Sequence, residues 1–290
     1  MTTTDVKPTK THRGENFPVA SLLIAPRHRA TILAFYRFAR AADDVADHPS
    51  LAAHDKLARL DRLEETLLGT REDAADALPL RHALAARNLS PRHAQDLLTA
   101  FRMDVTKLRY RDWDDLIGYC TYSANPVGRF VLDVHGEDRG IWPASDALCT
   151  ALQIINHLQD CGKDYRALDR VYIPLDVMQR CGMNAAELGA EHGSPALRSC
   201  VRELAAGTSE LLRQAAPFGM LIEDLRLGLE VSVIHKLALN LVTRLVRRDP
   251  LSERVHHSAV EAAGIGAGAI VTALRQRATR QRAGARRAAQ

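Results

Sequence analysis

Along most of the chain, apolar side chains recur at spacings of three and four, the repeat of a helix with one buried face. Between Thr31 and Ala46 the run TILAFYRFARAADDVA keeps this repeat, and His48-Pro49 ends it. Leu57 to Leu68, Pro91 to Leu108, Trp113 to Val134, Ser145 to Gly162, Pro195 to Ala215 and Ile222 to Val246 follow the same pattern. Turn chemistry separates them: GTRED after Leu68, GEDRGIWP at 136–143 and GAEHGSP at 189–195. The alternating β-branched runs that strands require are absent, and no short period repeats. The pattern predicts an all-α protein with a flexible segment at 1–13, one domain over 14–273, and a basic, disordered tail at 274–290.

Two of these helices carry a polar stripe as well as an apolar one. Residues three and four apart share a helix face, so Tyr36, Arg40, Asp43 and Asp47 form one line, with Asp44 about 100° round from Asp43. On the helix beginning near Ser145, Gln153, Asn156, Asp160 and Asp164 form a second, between the apolar Leu152, Ile155 and Leu158. A solvated acidic helix end is the ordinary explanation of the first stripe. The second is harder to place, because a polar line on an otherwise apolar helix needs partners. Divalent cations between Asp43/Asp47 and Asp160/Asp164 would supply them. Magnesium takes carboxylate oxygens and keeps its other positions for water and phosphate. With Arg40 nearby, the arrangement suits a diphosphate whose charge grows as it leaves, and so the ionisation of an allylic or cyclopropylcarbinyl diphosphate.

Composition removes several alternatives. The 290 residues are 46 % apolar and 26 % charged, with a net charge of +4, an ordinary soluble balance. Five cysteines (Cys120, Cys149, Cys161, Cys181, Cys200) form no CxxC pair, and their odd number suits a reducing cytoplasm. The N-terminus lacks the apolar core of a signal peptide, and no apolar run nears the ~20 residues that span a bilayer. The tail LRQRATRQRAGARRAAQ carries six arginines and no acid. A frayed, solvated end explains it; weak peripheral attachment at the inner membrane face is the alternative. It has no interleaved aromatics, which argues against nucleic acid. Twelve histidines include no zinc spacing, and His157 reads as a packing residue.

Three motifs in order carry a resemblance. FYRFARAADDVAD (35–47), YCTYSANPVGRFVL (119–132) and QIINHLQDCGKDYRALDRVYIP (153–174) resemble the signatures of the squalene and phytoene synthases, from about Asn16 to about Ser258. The resemblance implies an isoprenoid-synthase-type helical bundle around a central hydrophobic cavity, with two aspartate motifs binding Mg²⁺ and a prenyl diphosphate. Asp43 and Asp47 match the first motif and Asp160 and Asp164 the second. Asp44 and Asn156 assist as metal ligands, and Tyr36, Arg40, Gln153 and Asn156 match substrate-side positions. Tyr122 matches the tyrosine assigned to proton transfer or cation contact. Arg166, Arg170 and Tyr172, after the second motif, read either as a solvated loop or as a lid, with Arg170 reaching the diphosphate. Asp104 and Lys107 share a helix face and read as a structural pair.

The departures from the condensing members are specific. They carry Ser-Lys-Ser where this chain has Gly14-Glu15-Asn16, and arginine where it has Gln159. They read Val-Ala-Gly after the motif tyrosine, against Ser123-Ala124-Asn125-Pro126 here. Losing a lysine and an arginine removes two charge-assisted diphosphate contacts. These substitutions, with GENFPVAS (14–21) and RRDPLSERV (247–255), resemble the hydroxysqualene synthase branch of bacterial hopanoid pathways. That branch implies presqualene diphosphate and water as substrates, hydroxysqualene and diphosphate as products, no NADPH, and neighbouring enzymes of the squalene pathway as partners. A head-to-head synthase making squalene or phytoene is the rival within the class. A noncatalytic assembly protein of the same fold is the rival outside it.

Overall fold

The computed structural model describes residues 24–288, so the expectations for 1–13 and for the GENFPVAS stretch lie outside the described residues. Helix α1 (Pro26–Ala46) opens with proline in its first turn, where a missing N–H costs nothing. It buries Ile32, Phe35, Phe38 and Ala42, which leaves the Tyr36–Arg40–Asp43 line on another side. Then come α2 (Ala53–Leu68), closed by left-handed Gly69, α3 (Leu78–Arg87) and α4 (Arg92–Thr106). Next are α5 (Trp113–Ser123), α6 (Asn125–His135), the long α7 (Trp142–Leu168) and the short α8 (Leu175–Cys181). The chain closes with α9 (Pro195–Gln214), α10 (Phe218–Leu221), α11 (Leu225–Arg247) and α12 (Ala259–Ala288). The described residues contain no strand, only an isolated bridge between Arg109 and Val171. None of the described helices is long and apolar enough to cross a membrane.

Two expected segments come out differently, and α3, α8 and α10 have no counterpart in the sequence pattern. The single helix expected over Trp113–Val134 is two, broken at Ala124. Pro126 has no N–H for the Tyr122 carbonyl and its ring crowds that group, so the helix cannot continue. The tail expected to be disordered from Leu274 instead continues α12 as far as Ala288. Arg277 donates to the carbonyls of Gly219 (2.7 Å) and Ile222 (2.8 Å), and Arg280 to that of Met220 (3.3 Å). These are carbonyls at the open end of α10, which a guanidinium satisfies well. Upstream, Gly266, Ala269 and Ala273 form a seam of small buried residues.

The buried side chains form two cores. One uses α1 to α4 with Phe130 and Val134 of α6, and Phe35 stacks on Phe130 at 3.9 Å. The other uses the end of α4 and the helices that follow, around Ile154, Ile155 and Leu158 of α7. Helix α1 packs on α2, α3, α4 and α6, whereas α7 packs on α5, α6, α9 and α11. The two acidic helices therefore belong to different layers joined through α6.

Near the start of α1, His28 is buried against the His135 ring at 4.2 Å. Burial, then His135, Arg87 and Arg27, lower its pKa to about 4. A histidine with a lowered folded pKa contributes stability above about 6.5, and that contribution is lost as pH falls toward 4. The unfolding midpoint should therefore drop between pH 6.5 and 4.5, and His28→Gln should flatten the drop. An unchanged slope in the variant would place the acid sensitivity elsewhere.

Candidate active site

The last two turns of α1 and the last three of α7 set the site. Arg40 spans Asp43 and Asp44, with Nη1–Oδ2 and Nη2–Oδ1 distances of 2.5 Å each. One turn on, Asp47 Oδ1 accepts from Arg170 Nη1 at 2.6 Å. Arg170 also donates to the carbonyls of Ala46 (3.4 Å) and Asp104 (3.2 Å), and Lys56 reaches the Ala46 carbonyl at 2.9 Å. Arg170 is only 7 % exposed and Asp104 6 %.

The Asp104 carboxylate is itself held from two sides. Tyr119 donates to it at 3.0 Å and Tyr172 at 3.2 Å. Tyr172 is packed between Tyr110 at 5.6 Å and His157 at 3.4 Å. His157 in turn is hydrogen-bonded to Gln153 at 3.2 Å. Burial, and secondarily Arg170, lower the His157 pKa to about 3, so this imidazole is neutral and acts as a packing surface. Here the reading of His157 as a packing residue agrees with the structure.

The carboxylates are crowded. Asp43 is pushed up to about 7 by burial and then by Asp47, against the opposing pull of Arg40. Asp164 is likewise pushed up to about 7 by burial and by Asp160, and Asp47 on the other helix adds to it. The two stripes thus feel each other's charge, although α1 and α7 do not pack extensively. Asp160 has Lys163 at 3.8 Å. Such a set repels itself when ionised and draws in a cation of higher charge.

Among the described residues, no three His, Cys, Asp or Glu side chains converge tightly enough to enclose an ion by themselves. Magnesium does not require that, since it commonly binds through one or two carboxylates and completes its shell with water and substrate phosphate. Asp43, Asp44 and Asp47 on one side, with Asn156, Asp160 and Asp164 on the other, fit that mode.

Several sequence expectations find a different place. Arg170 and Tyr172 are not a lid. Both are buried, and their segment is tied to the α4–α5 loop by Val171 N–H to the Leu108 carbonyl (3.0 Å) and Leu175 N–H to the Tyr110 carbonyl (2.9 Å). Arg170, expected on the diphosphate, holds Asp47. Arg166 lies apart on the Leu188 carbonyl at 3.4 Å. Asp104 and Lys107 do not pair, because Lys107 joins Asp115 at 2.8 Å. Tyr122 is 36 % exposed and lines an open, charged cleft of about 510 Å³ with Met103, Tyr119, Lys107, Arg111, Asp112, Asp114 and Asp115. No hydrogen bond among the described residues joins it to the aspartates. Its neighbour Tyr119, one turn earlier, is the tyrosine turned onto Asp104. Tyr36 and Asn156 are half-buried on their expected helices.

Asp104 is the residue that spacing missed. It lies on the buried face of α4 with Leu97 and Ala100, and an acid on an apolar face is itself a signal. Lys107, one turn away, masked that signal by offering a partner.

Comparison with known proteins adds the lineage. A family model described as squalene/phytoene synthase matches residues 10–261. The hydroxysqualene synthase of Rhodopseudomonas palustris is 60 % identical over 87 % of this chain and 86 % of its own. That of Sinorhizobium fredii is 56 % identical over 92 % and 91 %. Among solved structures, the squalene synthase HpnC from Alicyclobacillus acidocaldarius superposes with a TM-score of 0.70 at 28 % identity, covering 79 % of this chain and 87 % of that one. A dehydrosqualene synthase at 22 % identity shares the fold, with a TM-score of 0.73 over 88 % and 90 %.

Proposed function

The chain belongs to the squalene/phytoene synthase family, on its hydroxysqualene synthase branch, and from that premise we propose that it converts presqualene diphosphate and water to hydroxysqualene and diphosphate with magnesium. The observation that carries this reading is the mutual crowding of two carboxylate pairs on separate helices, Asp43/Asp47 and Asp160/Asp164, which favours an incoming divalent cation with its diphosphate. Asp43, Asp44 and Asp47, with Asn156, Asp160 and Asp164, are the residues to hold the metal. Bound magnesium supplies the positive charge that makes diphosphate a good leaving group.

The chain's own residues do the rest. Arg40, placed between Asp43 and Asp44, is close enough to the carboxylates to turn a guanidinium N–H toward a diphosphate oxygen. Tyr36 and Gln153 line the same two stripes and orient the diphosphate by hydrogen bonding. The carbon–oxygen bond breaks with its electron pair on diphosphate, the cyclopropylcarbinyl cation rearranges, and water adds with loss of a proton. Tyr122, uncommitted to the Asp104 network, faces the cation. Gln159, buried where condensing members carry arginine, offers no positive charge for a second diphosphate. A lipophilic substrate and the arginines of α12 are compatible with work at the inner membrane face beside other enzymes of the pathway.

Purified protein with Mg²⁺ and no NADPH, given presqualene diphosphate or farnesyl diphosphate in separate reactions, tests the assignment. Hydroxysqualene from the first and nothing from the second is the expected result. Presqualene diphosphate or a hydrocarbon from farnesyl diphosphate would make it a condensing synthase. No product from either, with no magnesium binding, would favour a noncatalytic role.

A further inference from the structure

Arg170 has two acidic neighbours, and they differ in kind. Asp104 is 6 % exposed, is held by the hydroxyls of Tyr119 and Tyr172, and lies beside Arg170, whose Nε donates to its backbone carbonyl. The side chain of Asp47 is 39 % exposed and is fixed at 2.6 Å to one guanidinium nitrogen. A buried guanidinium requires a counter-charge that stays with it. The tyrosine hydroxyls fix Asp104 in that place, whereas Asp47 sits at the rim where the two acidic stripes meet.

We propose that Asp104 is a positioning residue: its carboxylate, held by the tyrosine hydroxyls and forming no ion pair with Arg170 among the described residues, places a second buried negative charge behind the guanidinium, so that Asp47, which does form the ion pair, is left able to turn to a metal diphosphate. The proposal rests on the site reading above and concerns a residue that touches neither metal nor substrate. Its logic sets an order of effects. With Asp104 neutral, Asp47 becomes the only anion for a buried cation and is a poorer metal ligand. Neutralising Arg170 as well removes that competition. Leaving Asp104 charged and removing only Arg170 strands a buried carboxylate.

The experiment is titration calorimetry of Mg²⁺ with inorganic diphosphate into the whole chain, its Asp104→Asn variant and the double variant Asp104→Asn/Arg170→Gln. Asp104→Asn should weaken binding about tenfold or more, the size expected for a residue one step behind a ligand. The double variant should recover most of that loss. A merely structural role predicts the opposite: a lowered melting temperature for Asp104→Asn with unchanged affinity, or a double variant worse than the single, and either result overturns the proposal. Should Asp104→Asn not fold, a double variant that folds and binds supports the counter-charge role, and one that does not overturns it. Wild-type protein that binds magnesium diphosphate but leaves presqualene diphosphate unchanged would remove the substrate assignment, while the variants still decide this question. Wild-type protein that binds no magnesium diphosphate overturns the proposal itself.

Discussion

Asp43→Asn should lower turnover of the prenyl diphosphate by on the order of a thousandfold, comparable to removing one preorganised charge-stabilising group from an active site, while leaving the helical fold intact. The reason lies in how the carboxylate is held. Although the Asp43 side chain is 34 % exposed, partial desolvation and then the charge of Asp47 raise its pKa to about 7, so the folded protein carries this charge against repulsion. Arg40 offsets part of that and would turn wholly to Asp44, already at 2.5 Å. An uncharged isostere therefore costs the fold little and removes a ligand from the side of α1. Circular dichroism, thermal melting and product formation under saturating Mg²⁺ check this together. A variant with unchanged melting and full turnover would remove Asp43 from the metal assignment. A variant that melts early would show that the Arg40–Asp43 pair supports α1 and that the activity loss is indirect.

Arg170→Met should be the most destabilising change at the site, by about 3–5 kcal/mol, the size expected when a buried charge is left without the opposite charge that balances it. Asp104 would keep its two tyrosine donors but lose the nearby cation that offsets its burial. Asp47, at the rim, would lose less, since exposed pairs contribute little. The pH dependence gives a second reading. Even with Arg170 present, burial raises the Asp104 carboxyl to about 6. Without Arg170 it rises further, so the variant's deficit should be large at pH 8 and shrink at pH 5, where the acid is protonated. Urea unfolding at both pH values measures this. An equal deficit at the two would mean that the lost methylene packing and carbonyl contacts, not the charge, account for the effect.

Much of this was legible in the sequence because it is local. The apolar repeat marks seven helical stretches, and the polar stripes on α1 and α7 follow from spacing alone. Helix α12 was missed because its buried seam is Gly266, Ala269 and Ala273, residues too small to register as an apolar face. Helix α3, ten residues long, has only Leu80 and Leu84 buried. The break at Ala124 was available in Pro126 and was outweighed by the apolar run around it. What spacing could not show is which charge goes where across helices. Lys107 is three residues from Asp104 and eight from Asp115, yet it is Asp115 that it meets. Arg170 read as a solvated-loop or lid cation because Asp47, Asp104 and Tyr119, which fix it or its surroundings, are remote in sequence, and nothing local showed that its near neighbour Tyr172 bonds Asp104.

The division into two cores sets an order in time. Every buried member of the first core lies between Ile24 and Val134, so that layer has all its parts before any of α7 has been synthesised. The site does not. The bond from Arg170 to Asp47 joins residues 123 positions apart, a loop whose closure is entropically costly until packing on both sides has drawn its ends together. A growing chain can therefore hold a finished first half, with Asp43, Asp44 and Asp47 already on a formed helix, while it has no site at all. Asp43 and Asp44 have Arg40 on their own helix, but the second half must dock before Asp47 acquires Arg170 and the two acidic stripes meet, so binding competence arrives as one of the last events of folding.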